Sequence, residues 1–327
     1  MPKNKVQFQR GLSLHRFQQL YGTSEQCETA LFNKRWPYGF VCPKCNHTEY
    51  YQLTTRPLYQ CQRCRSQISL TSGTIFDSSK LPLTLWFLAI YLITQSKDGI
   101  SSLNLSRMLG ISANAALRLK HKLQQVMKDH DDRLQLTGIV QVDDSYWGGQ
   151  RHDGQRGRGA SGKTPFLAAV STNCKGHPIH MRLSKVQAFT SSVISRWSLQ
   201  HLQPGTIVVS DGLNCFSGIG QAGFLHESIV TGGGHASMQI KVFTWVNTML
   251  GNVKKSIHGT YHSISSKHLP RYLAEFCFRF NQRFNLGSMI GTLVKAAVNS
   301  TPIPQRILKQ AEIWLSLIHI SEPTRPY

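Results

Sequence analysis

The chain has 327 residues, and its 37 lysines and arginines against 16 aspartates and glutamates give a formal charge of +21 with histidine neutral. With 40% hydrophobic residues it can bury at least one sizeable core, which excludes disorder throughout, and at roughly 100–200 residues per domain it has room for two or three. The apolar run at 81–94 (LPLTLWFLAIYLIT) is shorter than the roughly 17–25 residues a bilayer crossing needs, so it predicts a buried helix and no membrane partner. The opening MPKNKVQFQR has the charge but not the apolar run of a secretory signal, which leads us to expect a cytoplasmic protein with reduced thiols. A surplus made by few acids favours a polyanionic partner, because each phosphate contacted by Lys or Arg releases counterions. Many basic soluble proteins bind no DNA, so motifs must decide.

Residues 1–39 read as a helical lead-in, with Leu12, Leu14, Phe17, Leu20, Cys27, Ala30 and Leu31 on an amphipathic pattern that Pro37 and Gly39 end. A zinc ribbon is expected over 40–78. Cys42 and Cys45, then fifteen residues, then Cys61 and Cys64 have the spacing of two knuckles that offer four thiolates to one structural Zn2+. Four cysteines leave no open position for catalysis; disulfides are the alternative, which a cytoplasmic protein disfavours. Cys27, Cys174, Cys215 and Cys277 lack such spacing and are expected to be buried small hydrophobes. Lys44, Arg56, Arg63 and Arg65 decorate the ribbon and suit either a DNA contact or a solvated face.

The region 79–130 predicts a helix-turn-helix. Leu103, Leu105, Met108 and Leu109 lie on one helix, Gly110 and Ile111 at the turn, and Ser112 caps the next. If the second helix enters a major groove, Ser112, Asn114 and Arg118 face base edges or phosphates; an ordinary helical hairpin is the plain alternative. From 136 to 300 strand-like runs at 139–146, 166–172, 179–184 and 206–210 mix with helical runs at 190–201 and 242–257, which describes an α/β domain. The Gly- and Arg-rich stretch 148–163 reads as a hairpin tip or a phosphate contact. Residues 301–327 are a tail, whose end from 316 (SLIHISEPTRPY) fits no element and resembles translated adapter read-through.

The rare carboxylates are placed tellingly. Asp143 and Asp144 end one apolar strand and Asp211 ends another. If those strands are neighbours, the acids can hold one or two Mg2+ ions and support phosphodiester chemistry; surface turn aspartates are the ordinary alternative, Asp211-Gly212 being a good turn pair. Between Asp211 and Glu275 the only acid is Glu227. The following helical stretch offers instead Asn247 and, seven positions later on the same face, Lys254. An amide oxygen can ligate Mg2+ with less attraction than a carboxylate, and a lysine there can hold a phosphate.

With these residues in view, the chain resembles insertion-sequence transposases of the IS1595 type, with an ISXO2-like transposase domain and a zinc ribbon. The resemblance rests on RWPYGFVCPKC, CQRC, VDDSYWGG, VVSDG and NTMLGNVKKSIHGTYHSISSKHLPRYLAEFCFRFNQR, and covers roughly residues 10–300. It implies an RNase H-like α/β catalytic domain of the DDE recombinase type, which cuts transposon ends and joins their 3′ hydroxyls to target DNA. By motif, Asp143 and Asp211 are the metal-binding acids for Mg2+ or Mn2+. Asn247 stands where many relatives have Glu, so that Asp144 or Glu227 would compensate, and Lys254 is the associated base. The helical signature 261–283 has charges read as DNA-facing (His262, His268, Arg271, Arg279, Arg283, with Lys255 before it) and Leu269, Tyr272, Leu273, Phe276 and Phe280 as core. The implied partners are double-stranded DNA, both transposon ends and target, and a second copy in a homodimer or higher assembly on that DNA. The implied setting is a bacterial nucleoid. A non-catalytic DNA-binding protein, a regulator or a decayed transposase, is the rival reading.

Overall fold

The computed structural model describes residues 11–148, 162–230 and 241–311; most of the Gly- and Arg-rich loop and the end of the tail lie outside them. The chain divides into two units, one of residues 1–127 with 282–310, the other of 128–281 with 311–327. Among the described residues no helix is long and apolar enough to cross a membrane.

The first unit begins with two short helices, α1 (Leu14–Tyr21) and α2 (Ser24–Arg35), each started by a hydroxyl cap, Ser13 and Thr23; Gln26 reciprocates the second to complete a capping box. Three strands follow, β1 (Tyr50–Gln52), β2 (Leu58–Cys61) and β3 (Gln67–Ser69), antiparallel in that order. Such short strands bury little by themselves. Phe32 and Trp36 of the α2 segment therefore pack with Phe40, Tyr50 and Tyr59 in a cluster with centroid spacings such as 5.0 Å (Phe32–Trp36) and 4.8 Å (Phe40–Tyr50). Arg35 clips this edge by donating to the carbonyls of Ser69, Leu70 and Ser72.

The apolar run expected to be a buried helix is α3 (Leu83–Gln95), with Trp86, Phe87, Ile90 and Ile93 buried. α4 (Ser102–Leu109) ends at Gly110, whose φ of +64° suits glycine, and α5 (Ala113–Asp131) starts after a turn locked by Ser106, whose hydroxyl donates to Ile111 O at 2.6 Å. The Ser112 hydroxyl accepts from Ala115 N at 3.3 Å, the cap expected of it. Only the first turns of α5 are exposed, and Ser112, Asn114 and Arg118 all lie there.

The second unit is a five-stranded sheet with helices on both faces. β4 (Ile139–Trp147), β5 (Thr164–Thr172) and β6 (Pro178–Lys185) form an antiparallel meander; β7 (Ile207–Asp211) and β8 (Leu225–Ile229) then add parallel to β4, giving the order β6-β5-β4-β7-β8. Alternation along β4 and β5 divides the core. Val140, Val142, Leu167 and Ala169 face α6 (Ser191–His201) and α7 (Ser217–Gln221), whereas Phe166, Ala168 and Val170 face α8 (Thr244–Tyr261) and α9 (Leu269–Asn281). The chain then returns to the first unit with α10 (Met289–Val298), which packs on α2 and α3, and α11 (Gln305–Gln310).

Two expectations change here, and one strand is new. The α/β unit stops at Asn281 rather than 300, because the apolar face of α10 (Ile290, Leu293, Val294, Ala297) is buried in the amino-terminal unit. Cys174 is exposed, on the β5–β6 hairpin, while Cys27, Cys215 and Cys277 are buried as expected. β8 had no forecast: LHESI is mostly polar and mostly exposed, as suits an edge strand.

Candidate active site

The acids meet because of strand register. β4 and β7 run parallel with Val142 opposite Ser210, so the next residues, Asp143 and Asp211, stand side by side; Asp211 ends β7, whereas Asp143 and Asp144, expected at a strand end, lie in the middle of β4, which runs on to Trp147 paired with β5. Asp143 and Asp211 share the parity of core residues that face α8, since Asp143 pairs with Ala168 and Asp211 follows Val209 by two. Asp144 has the opposite parity, yet it joins them: the three residues offer carboxylate oxygens all within 4.8 Å of one another. Glu227 does not join that group; it pairs with Val209, two residues short of Asp211.

Three carboxylates this close cannot all be charged cheaply. Burial, then the neighbouring charges of Asp144 and Asp211, push the Asp143 carboxyl up to about 7, against the opposing pull of the Asp144 N–H (2.9 Å to Oδ1) and of Lys254. This surplus of negative charge around oxygen ligands fits a divalent cation, which would relieve the repulsion. A stability test follows. Because folding raises the Asp143 pKa above its usual 3.8, the folded state holds that proton more tightly, and the penalty for ionising it grows from about pH 4 to about pH 7 and is complete above. Asp143→Asn is expected to melt higher than the parent at pH 8 without added divalent cation, by about 1–2 kcal/mol after allowing for solvent screening, with the gap shrinking by pH 5. A variant no more stable at pH 8 would count against this electrostatic account.

α8 is moored to the acid-bearing strand β4. Gln141, two residues before Asp143 on the same face and 7% exposed, accepts through Oε1 from the backbone N–H of Trp245 (3.2 Å) and Val246 (3.1 Å) at the start of the helix. Gln141→Leu leaves both donors unpaired, and denaturant melts are expected to show a loss of roughly 2–3 kcal/mol. An unchanged midpoint would refute the mooring. On this helix Val246, Leu250, Val253 and Ile257 face the core, and Asn247 and Lys254 share one flank. Asn247 is half-buried and makes no side-chain hydrogen bond among the described residues; Lys254 is exposed, and its charge reaches Asp143.

Lys255 and His262 are exposed, the latter where the helix ends at a φ of +55°. Arg271 and Arg279 do not match their DNA-facing reading. They are 2% and 8% exposed; Arg271 bonds His268 at 3.0 Å, and Arg279 pairs with buried Glu275, which also accepts from the Tyr261 hydroxyl at 2.8 Å. Glu275 lies four residues before Arg279, and that i,i+4 spacing on an expected helix is the signal in the sequence that could have found the pair.

In the first unit the four cysteine sulfurs all approach within 4.8 Å. The turns are alike: Asn46 N–H donates to Cys42 O (2.9 Å) and Arg65 N–H to Cys61 O (3.1 Å), with Asn46 and Arg65 both at φ near +58°. Sulfur separations of 3.6 Å (Cys42–Cys64) and 3.5 Å (Cys45–Cys61) are far beyond a bond and close to the edge of about 3.8 Å that Zn–S distances of about 2.3 Å give a tetrahedron. Hydrogen bonding to Ser66 pulls the Cys64 thiol down to about 6, whereas Cys45, despite a backbone hydrogen bond from His47, is pushed up to about 12 by burial and its sulfur neighbours, so the fold by itself favours one thiolate and the others call for a cation among them. Lys44, Arg56, Arg63 and Arg65 are exposed around the cluster.

Residues 135–281 match the ISXO2-like transposase domain, and residues 22–67 match the transposase zinc-ribbon domain that accompanies it. The chain belongs to the IS1595 transposase family. Family membership thus covers both the acid-bearing α/β unit and the cysteine cluster. A protein of Halobacterium salinarum, described as an uncharacterized protein in transposable element ISH50, is 26% identical over 220 residues, which span 61% of this chain and 71% of that one. Two solved structures, the Mos1 strand transfer complex and the Mos1 mariner paired end complex with Mn, are each 11% identical over 61% of this chain, covering 76% and 77% of theirs, with TM-scores of 0.21 and 0.20.

Proposed function

We propose that the chain is a DNA transposase that binds the terminal inverted repeats of an insertion sequence, cleaves there and joins the freed ends to target DNA. The observation that carries this reading is the meeting of Asp143 and Asp211 within one three-acid group in a transposase-family domain. The sheet, three antiparallel strands followed by two parallel ones with Asp143 within β4 and Asp211 at the end of the adjacent β7, supports an RNase H-like assignment.

Asp143 and Asp211 hold the catalytic Mg2+ or Mn2+, with Asp144 as the third carboxylate and Asn247 as a weaker neutral donor. The ions, when bound, polarise the scissile phosphodiester and stabilise charge on the attacking and leaving oxygens. Lys254, on the Asn247 flank of α8, holds a backbone phosphate beside the acids, and Lys255 and His262 extend that contact. In the first unit the ribbon is built on one structural Zn2+. α4 and α5 act as a helix-turn-helix, with Ser112, Asn114 and Arg118 at the exposed start of the reading helix. Ser112 is spent on its cap and Arg118 already bonds Gln305 at 3.0 Å, so Asn114 is the freest to read a base edge. Joining two ends in concert calls for a dimer or higher assembly on DNA in the bacterial nucleoid.

The testing experiment is strand transfer by the full chain on duplexes carrying the inverted repeats that flank its gene, with Mg2+ or Mn2+. Joined product supports the reading. Tight repeat binding with neither cleavage nor joining in either metal overturns it and leaves the non-catalytic binder, the role that an amide at position 247 would suit.

A further inference from the structure

A cavity of about 280 Å³ lies beside β6, at the outer edge of the second unit's sheet and two strands away from the acid-bearing β4. Three of its wall residues leave a buried nitrogen without a hydrogen-bond partner: Arg182 Nε, Trp197 Nε1 and His201 Nδ1. These residues are only 6%, 5% and 6% exposed. Trp197 and His201 stand one turn apart on α6 with ring centroids 5.5 Å from each other. The other guanidinium nitrogens of Arg182 are engaged, by Asp132 and by the carbonyls of Asp131 and Leu134, so Nε alone is left over. Burial, reinforced by Arg182, pushes His201 down to about 3; it is neutral near pH 7, and its Nδ1 can carry the proton and donate.

Charge points the same way as the donors. Of the two acids in the wall, Asp132 is paired with Lys128 (2.7 Å) and Arg182 (3.1 Å), and Asp131, whose pKa burial raises, is hydrogen-bonded by His130 (3.0 Å) and Asn281 (3.2 Å). Lys185 and Arg196, also in the lining, have no ion-pair partner among the described residues. Buried polar atoms are normally satisfied, and a single ordered water would fill only about 10–15 Å³ of such a space. A group with several acceptor oxygens and negative charge answers both the unpaired N–H atoms and the unpaired cations.

We propose that this cavity is a site for a phosphate-type oxyanion, free or carried on a nucleic-acid backbone, held by Arg182, Trp197 and His201 with Lys185 and Arg196 beside them. It stands apart from the acid cluster, and the inference does not depend on the chain being an active transposase.

The test uses the full-length, zinc-loaded chain with 15N-labelled indoles, titrated with inorganic phosphate at constant ionic strength, the Trp197 signal being assigned with W197F. A saturable shift of that signal in phosphate but not in chloride is expected. K185Q/R196Q, a change at the cavity's partner-free cations, is expected to weaken binding by roughly tenfold or more with an unchanged melting temperature. A second titration adds a short DNA duplex: displacement of phosphate identifies a backbone phosphate as the occupant, and phosphate binding indifferent to duplex identifies a free oxyanion. No saturable shift in phosphate, or equal affinity in the double variant, overturns the proposal and leaves an ordered water only.

Discussion

Asparagine at position 143 or at position 211 is expected to lower strand transfer by more than about a thousandfold while leaving DNA affinity at or slightly above that of the parent. Each substitution keeps the side-chain volume but removes one of the two carboxylates that the β4–β7 register sets side by side. Removing a group that only hydrogen-bonds a metal ligand commonly brings roughly ten- to hundredfold losses, so loss of a ligand itself should exceed that range. Binding should not suffer, because the positive charge that attracts the backbone is untouched and one negative charge beside it disappears. Asp144→Asn, which removes the third carboxylate of the same group, should likewise cost more than about a hundredfold. Gel assays of repeat binding run beside strand-transfer assays measure both quantities. If Asp211→Asn joins ends as fast as the parent, the acid cluster is not the catalytic centre.

Loss of zinc should be as severe for the first unit. The ribbon strands are three, four and three residues long, too short to stand without a staple. Structural zinc in small domains contributes on the order of 10–16 kcal/mol of binding free energy, drawn from folding. Purified chain is therefore expected to hold about one zinc per chain, and chelation or Cys61→Ser to collapse the β1–β3 sheet. The aromatic rings of Trp36, Phe40, Tyr50 and Tyr59 would then lose their shared packing, visible as a change in near-ultraviolet circular dichroism. Chain free of zinc that kept its spectrum and melting temperature would refute a structural role for the metal.

The parts legible in the sequence are those where a chemical constraint is written locally. Paired Cys-x-x-Cys turns announce convergence, and apolar runs that end in aspartate announce acids able to meet across neighbouring strands, so the grouping of Cys42 to Cys64 and that of Asp143 with Asp211 could be anticipated, although β4 runs on to Trp147 instead of ending at its acids. The four strands from β4 to β7 and the helices α3, α6 and α8 followed from periodicity. What stayed hidden depends on partners remote in sequence. Arg279 is the exception, since Glu275 lies only four residues before it, an i,i+4 pair that helical periodicity does contain. Asp144 points away from Asp143 by alternation, and strand periodicity alone does not show that the two carboxylates meet. Gln141 has no pattern of its own, since its worth lies in two backbone donors more than a hundred positions downstream. The cavity beside β6 collects residues from separated segments that no local window contains.

The amino-terminal unit is discontinuous, with α10 supplying Ile290, Leu293 and Val294 to its core from beyond Asn281. During synthesis, the ribosome must therefore release nearly the entire polypeptide before the zinc-bearing half can finish folding. A messenger truncated just after codon 281 would still encode the whole matched transposase domain, yet yield a partner half with an open hydrophobic wound, prone to aggregation and proteolysis. Late nonsense mutations, usually the mildest kind, should in this gene be among the most damaging.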